Sequence, residues 1–238
     1  MNDAVRIRRA CLLDTETTGT DPAQGAKTIE IAVMLYDVEH ASPISSFASL
    51  IHIDGNDEWG MPANPAEHIN GIKPVMLKDA RPADEVWRAV KWMIASSDVI
   101  VAHRAEFDRQ FVPDLGKPWC CSKTDIKWPN RMRGDHLVQL ALGLGLGVAS
   151  AHRAMADVDT LARIFTRCAE IFDKTGMHSL EAMLLHAMRP KVKYISLAPF
   201  EEREVVKSHG FLWNPQAKEW YRFMPPEDIG ELPFKVRT

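Results

Sequence analysis

Cysteine is scarce in this chain: there are four, Cys11, Cys120, Cys121 and Cys168, in 238 residues. None forms a CxxC pair, and no His/Cys cluster has zinc spacing, so a zinc ribbon or a dithiol redox motif is excluded. Cys120 and Cys121 are adjacent and cannot bond each other without unusual strain. The expectation is four reduced, mostly buried thiols in a cytoplasmic protein. A basic excess is lacking too. The net charge is −3, so no global field recruits a polyanion or an anionic membrane, and any such binding must be local. No apolar run approaches the ~20 residues that span a bilayer. Met1 to Arg9 is short, mixed in charge and followed by no apolar h-region, so no signal peptide is expected. No repeat of solenoid period is present. Gly143, Gly145 and Gly147 fit neither GxGxxG nor a Walker A loop and are expected to end a helix.

What is present begins at Leu13-Asp14-Thr15-Glu16-Thr17-Thr18-Gly19. Two carboxylates sit one residue apart directly after an apolar run. If this run is a strand, period-2 alternation points Asp14 and Glu16 to one face. Two like charges side by side repel, and burying them costs several kcal/mol (~3–5) unless something pairs with them. A hard divalent cation, which prefers carboxylate oxygens, is the simplest compensation.

Periodicity places strands at Ala10–Thr15, Thr28–Val38 and Ser45–Ile53. A Pro-rich connection (Pro62, Pro65, Pro74) follows, and Pro82 opens a helix through Ser96 with Val86, Val90, Met93 and Ile94 at helical spacing. Asp98–Ala102 reads as a buried strand, His103–Leu115 as a helix, and Trp119–Ser122 as another strand. Helices are expected at Gly134–Leu144, Arg153–Phe172 and Ser179–Met188. Trp87 and Trp92 are expected to pack. The order implies an α/β domain with a mixed sheet over residues 1–188. Composition shifts at Met188-Arg189-Pro190, and residues 189–238 read as a small β-α-β-β module, with the two tryptophans of its hairpin, Trp213 and Trp220, expected as its core. Its nine basic residues outnumber its seven acidic ones. Aromatics and bases together allow single-strand binding by stacking and charge.

Two segments echo one another: His103-Arg104-Ala105-Glu106-Phe107-Asp108 and His152-Arg153-Ala154-Met155-Ala156-Asp157 both read His-Arg-Ala-x-x-Asp. Five residues on a helix is about 500°, leaving histidine and carboxylate about 140° apart. They converge only if the histidine lies on the loop entering the helix. Asp14, Glu16, Asp108 and Asp157 then make four acids from three segments. They fit a two-cation site that cleaves phosphodiesters. Either His103 or His152 can take the proton from the attacking water. Glu30, on the next strand, reads as a structural acid, and Asp159 as exposed.

In order and separation, four motifs over roughly residues 8–175 resemble the DnaQ-like 3′-5′ exonucleases of the DEDDh group. They are Asp14-Thr-Glu16-Thr-Thr-Gly19, Ile29-Glu30-Ile31-Ala32, Val101 to Asp108, and His152 to Asp157. The resemblance implies an RNase H-like fold with a mixed five-stranded sheet flanked by helices. It implies metal ligation by Asp14, Glu16, Asp108 and Asp157, with two Mg²⁺ or Mn²⁺ ions bridged by Asp14 and Asp108 acting largely through water. It selects His152 as general base and leaves His103 a histidine satisfied at a strand end. The implied reaction releases nucleoside 5′-monophosphates from a 3′ end in DNA repair or replication. Single-stranded DNA is the expected substrate, and an exoribonuclease or an inactive 3′-end binder is the alternative. Substrate contacts are expected at Thr15, Thr17, Asn70 and Arg104, with Arg104 read alternatively, and by preference, as a solvated surface charge. The last two depart from the family, which commonly has His-Gly-Ile where this chain has Asn70-Gly71-Ile72, and Asn in place of Arg104. Oligomeric state stays open, a homodimer included.

Overall fold

The structure, a computed structural model, describes residues 6–55, 60, 62–129, 136–148, 153–175 and 179–238. The chain divides into two compact units, Met1–Ala187 and Met188–Thr238. Among the described residues, no helix is long and apolar enough to cross a membrane.

The first unit is built on strands β1 (Arg9–Thr17), β2 (Thr28–Asp37) and β3 (Ser42–Leu50), which form an antiparallel meander. Two short helices, α1 (Glu67–Asn70) and α2 (Pro74–Lys78), occupy the Pro-rich connection. At four and five residues they are too short to show a helical period. Helix α3 (Ala83–Ala95) leads to β4 (Val99–Ala102), α4 (Ala105–Asp108) and β5 (Trp119–Cys121). Then follow α5 (Leu137–Gly143), α6 (Ala154–Thr175) and α7 (Leu180–Ala187). The sheet has five strands in the order β3-β2-β1-β4-β5, with β1, β4 and β5 mutually parallel. This is the mixed sheet that the alternation of apolar runs implies.

β1 is central, so its apolar residues are covered on both faces. Cys11 and Leu13 join Ile31, Val33, Leu35 and Ile100 beneath Val86, Val90, Met93 and Ile94 of α3. Each such fully buried aliphatic contributes roughly 1.5–3 kcal/mol. The even-numbered residues face α6: the Tyr36 hydroxyl meets Thr166 at 2.8 Å, and its ring lies edge-on to Phe165. Along α6, Ala154, Val158, Leu161, Phe165, Cys168 and Phe172 are buried at i, i+3/i+4 spacing, which presses one stripe onto the sheet. All four cysteines are buried and outside any disulfide, and burial pushes the Cys11 thiol up to about 12.

Three expectations are corrected. The helix expected over His103–Leu115 shrinks to Ala105–Asp108, with turns continuing to Phe111. Pro113 disfavours helical backbone at Val112, although the Phe107–Phe111 ring pair survives at 5.0 Å. Strand β3 begins three residues before the expected Ser45 and includes Pro43, where the register slips. An edge strand tolerates a residue that cannot donate to the ladder. On α3, Trp87 packs against the core but Trp92 is 62 % exposed. Gly134 falls outside the described residues.

The second unit runs β6 (Val192–Ser196), α8 (Arg203–Ser208), β7 (Leu212–Asn214), β8 (Glu219–Met224) and β9 (Val236–Arg237). Its antiparallel sheet has four strands in the order β7-β8-β6-β9, one more than the sequence pattern shows. The two-residue β9 is too short to carry an alternation. Tyr194, Val206, Phe211 and Met224 form the core, with Trp220 packed against it. Trp213 pairs with Trp220 across β7 and β8 but is 47 % exposed. Of the two tryptophans expected in the core, the one on the edge strand is left outside it.

Candidate active site

Strand β1 pairs with β4 only as far as Leu12–Val101. The segment from Asp14 to Thr17 therefore runs past the end of β4, at the carboxyl edge of two parallel strands. That edge is where open α/β sheets bind ligands. Alternation there is strict: Thr15 and Thr17 are buried, while Asp14 and Glu16 are partly open on the face toward α6. Asp157, in the first turn of α6, meets them. Carboxylate oxygens of Asp14, Glu16 and Asp157 all lie within 4.8 Å of one another.

Asp108, at the end of α4, is buried beside this group. The residue on β1 that faces it is Thr15, whose amide and hydroxyl donate to Asp108 Oδ1 at 3.1 and 2.7 Å. Because β1 has outrun β4, the Thr15 amide has no strand partner on that side, and Asp108 takes it instead. Thr15 thus holds an acid in place; its hydroxyl is spent inside the protein.

The electrostatics follow from crowding. Burial, and then repulsion from Asp108, Asp157 and Glu16, raise Asp14 well above the usual carboxylate range. Burial, then Asp157, Glu30 and Asp108, push Glu16 up to about 7, opposed by Arg153. Burial raises Asp108 to about 6 against the lowering effect of the Thr15 hydrogen bonds. Every donor in the cluster is a carboxylate oxygen, the type that hard divalent cations take, and a divalent charge relieves the repulsion. The residues present fit such an ion.

Glu30 stands opposite Glu16 in the β1–β2 register. Its carboxylate accepts from Arg153 Nη2 at 2.7 Å and Nε at 3.0 Å, and from the Ala154 amide at 3.1 Å. It therefore anchors the start of α6, one turn before Asp157. Sequence reading identifies Glu30 as structural but misses its partner. The only signal for Arg153 is its place in the His-Arg-Ala echo. The other arginine of that echo, Arg104, is exposed and lies 5.6 Å from the Phe107 ring.

The remaining candidates are distributed as follows. The Thr17 hydroxyl donates to the Gly19 carbonyl at 2.6 Å. Asn70 is buried at the end of α1, where its amide donates to the Thr17 carbonyl at 3.3 Å and its oxygen accepts from Asn64 Nδ2 and the Ile72 amide. Asn64, which sequence reading misses, also donates to the Ile72 carbonyl at 2.8 Å. This network ties the Asn70-Gly71-Ile72 turn to the end of β1. Gly71 at φ 67° supplies the left-handed residue that ends α1. His103 Nδ1 lies 2.9 Å from Ser122 Oγ at the end of β5. Asp159 is exposed. His152 lies outside the described residues.

Residues 11–114 match the family model described as Exonuclease, and residues 192–238 match a family described only as a domain of unknown function. The DNA polymerase III PolC-type of Thermotoga maritima is 28% identical over 85% of this chain and 15% of its own length. The DNA polymerase III subunit epsilon of Treponema pallidum is 29% identical over 76% of this chain and 83% of its own length. This chain spans less than a fifth of the PolC-type relative. Among solved structures, Exonuclease X in complex with 5′ overhanging duplex DNA superposes with a TM-score of 0.54. It is 24% identical and covers 74% of this chain and 99% of that one. Cell-death related nuclease 4 superposes with a TM-score of 0.57 at 15% identity, covering 98% of this chain and 81% of that one. At such identities the superpositions establish a shared fold. With the acids of Asp14, Glu16, Asp108 and Asp157 gathered at one sheet edge, the N-terminal unit of this chain is similar over residues 11–114 to the Exonuclease family and shares the fold of solved 3′-exonucleases.

Proposed function

We propose that the chain is a divalent-metal-dependent 3′-5′ exonuclease that removes nucleoside 5′-monophosphates from the 3′ end of single-stranded DNA in the cytoplasm. The observation that carries this reading is the meeting of Asp14, Glu16 and Asp157 within 4.8 Å at the end of β1, with Asp108 fixed alongside by Thr15. Asp14, Glu16 and Asp157, with Asp108 alongside, would hold two divalent cations, Mg²⁺ or Mn²⁺. Such ions would supply charge stabilisation to the attacking and leaving oxygens of an in-line displacement.

The chain's own residues do the rest. His152, the histidine of the second His-Arg-Ala segment, accepts the proton of the attacking water. The water oxygen bonds to phosphorus as the P–O3′ bond breaks, and the departing strand keeps a 3′-hydroxyl. The Asn64–Asn70–Thr17 network fixes the turn beside the strand end, and Arg104, exposed at the head of α4, stands ready for a phosphate. Residues 1–188 form the catalytic domain and 189–238 an accessory module that binds nucleic acid.

Incubation of 5′-labelled DNA and matched RNA oligomers with Mg²⁺, Mn²⁺ or chelator tests the reading. Metal-dependent shortening from the 3′ end, faster on DNA, is expected. Strand binding without shortening under either metal makes the protein a 3′-end binder instead, and faster RNA shortening reassigns the substrate.

A further inference from the structure

The sheet of the second unit has two faces of different character. Met224 is buried on β8, and Trp220 packs against the same core. Alternation turns Glu219, Tyr221 and Phe223 to the opposite face. The cross-strand register adds Lys193 opposite Phe223, Ile195 and Leu212 opposite Tyr221, and Arg237 opposite Ile195. On this outer face Phe223 is 50 % exposed and Leu212 is 46 % exposed. Among the described residues, seven of the twelve large apolar side chains that are exposed lie in this small unit.

Charge separates this unit from the rest of the chain. Residues 189–238 hold nine basic and seven acidic side chains, whereas residues 1–188 hold 20 and 25. On the outer face two of these bases, Lys193 and Arg237, meet one acid beside the rings. Lys193 Nζ lies 5.0 Å over the Tyr221 ring, and the Phe223 ring stands edge-on to Tyr221 at 6.1 Å. Glu219 is the acid on this face, and it is held by Lys193 at 2.8 Å, with Arg237 at 3.8 Å.

We infer that the outer face of this sheet, centred on Tyr221 and Phe223, is a stacking platform for the bases of a single-stranded nucleic acid. The inference gives a place to the accessory binding proposed above and rests on that reading. The half-exposed Phe223 ring, with Lys193 on the neighbouring Tyr221, offers what a splayed strand needs: a π-face for a base and a cation for its phosphate. A duplex, whose bases are already stacked on one another, has no free face to offer. The charge balance of the unit complements a polyanion, whereas an apolar protein partner has no use for it. Glu219 tempers the platform by holding part of the Lys193 charge.

The test uses the full chain in chelator, where no turnover occurs, and fluorescein-labelled dT20 and rU20 as probes in an anisotropy titration. Phe223→Leu keeps apolar area and removes the π-face, and Phe223→Trp keeps the π-face. The first is expected to weaken binding on the order of tenfold, and the second to hold wild-type affinity. Glu219→Gln is expected to tighten binding several-fold at low salt. Phe223→Leu binding as tightly as wild type, with a far-UV CD spectrum and melting temperature like those of wild type, overturns the inference. A wild-type chain that releases no nucleotide yet loses affinity on Phe223→Leu sinks the exonuclease reading and leaves the platform standing.

Discussion

The Arg153 guanidinium grips Glu30 with two nitrogens, at 2.7 and 3.0 Å, across 123 residues of sequence. Glu30 is buried, while the Arg153 side chain is 44 % exposed. The pair does more than join β2 to α6. It cancels the charge of a fifth acid beside a cluster that already repels itself, and it sets the first turn of α6, where Asp157 begins its approach to Asp14 and Glu16.

Removing the two partners therefore has unequal cost. Arg153→Ala leaves a buried carboxylate facing Glu16, whereas Glu30→Gln leaves a neutral amide and an arginine that reaches water. Loss of one partner of a fully buried pair costs ~3–5 kcal/mol, and the exposure of Arg153 reduces this to roughly 1–3 kcal/mol. Urea melts are expected to rank Arg153→Ala below Glu30→Gln, and Arg153→Lys between Arg153→Ala and wild type. Both Arg153→Ala and Glu30→Gln are expected to lower nucleotide release. Equal melts for Arg153→Ala and Glu30→Gln exclude the burial argument.

Thr15 offers a narrower probe. Thr15→Val preserves shape and the amide bond to Asp108 but deletes the hydroxyl at 2.7 Å. A hydrogen bond to a charged group contributes ~1.5–3 kcal/mol, and Asp108 without it moves above its value of about 6. The expected result is turnover lowered on the order of tenfold at pH 7 and partly recovered at pH 8.5, where Asp108 ionises again. A flat difference between the two pH values removes Thr15 from any role in tuning Asp108.

The same crowding makes the metal-free site a burden on the fold. Glu16 is raised from 4.5 to about 7 by burial and by Asp157, so the folded chain holds a proton that the unfolded chain has released. Stability then falls as pH rises from ~4.5 toward 7, the reverse of an ordinary salt-bridged acid. Thermal melts in chelator are expected to be higher at pH 6 than at pH 8, and Mn²⁺ is expected to raise the pH 8 melt more than the pH 6 melt. Asp14→Asn is expected to raise the melting temperature in chelator while abolishing nucleotide release. A lower melting temperature for Asp14→Asn contradicts the crowding that the geometry describes.

These relationships mark where sequence stops being readable. The placement of Asp14 and Glu16 on one face follows from period 2, and the stripe of α6 follows from 3.6, because each is a local repeat. The bonds from Thr15 to Asp108 and from Arg153 to Glu30 span 93 and 123 residues and leave no periodic trace. The failure at His103–Leu115 has the opposite cause. Phe107 and Phe111 at i, i+4 suffice for a helical pattern, but Pro113 and the need to seat Asp108 against β1 end the helix after one turn. Trp213 and Trp92 show that apolar composition alone does not decide burial; an edge strand and the solvent side of α3 leave them outside.

The two echoed histidines remain the sharpest choice. His103 follows β4 and is engaged by Ser122 at 2.9 Å, a bond that fixes its ring at the strand end. His152, which the resemblance selects as general base, directly precedes Arg153 in the sequence. A general base contributes ~10²–10⁴-fold. His152→Ala is therefore expected to lower nucleotide release by that factor at pH 7.5 while leaving Mn²⁺ affinity within a few-fold of wild type. His103→Ala is expected to cost far less in rate and to act mainly through stability at the end of β4. Single-turnover kinetics under saturating metal separate the two, since metal loss and base loss then have different signatures. If His103→Ala carries the large rate loss and His152→Ala does not, the base belongs to β4, and the catalytic water must approach from the side of α4.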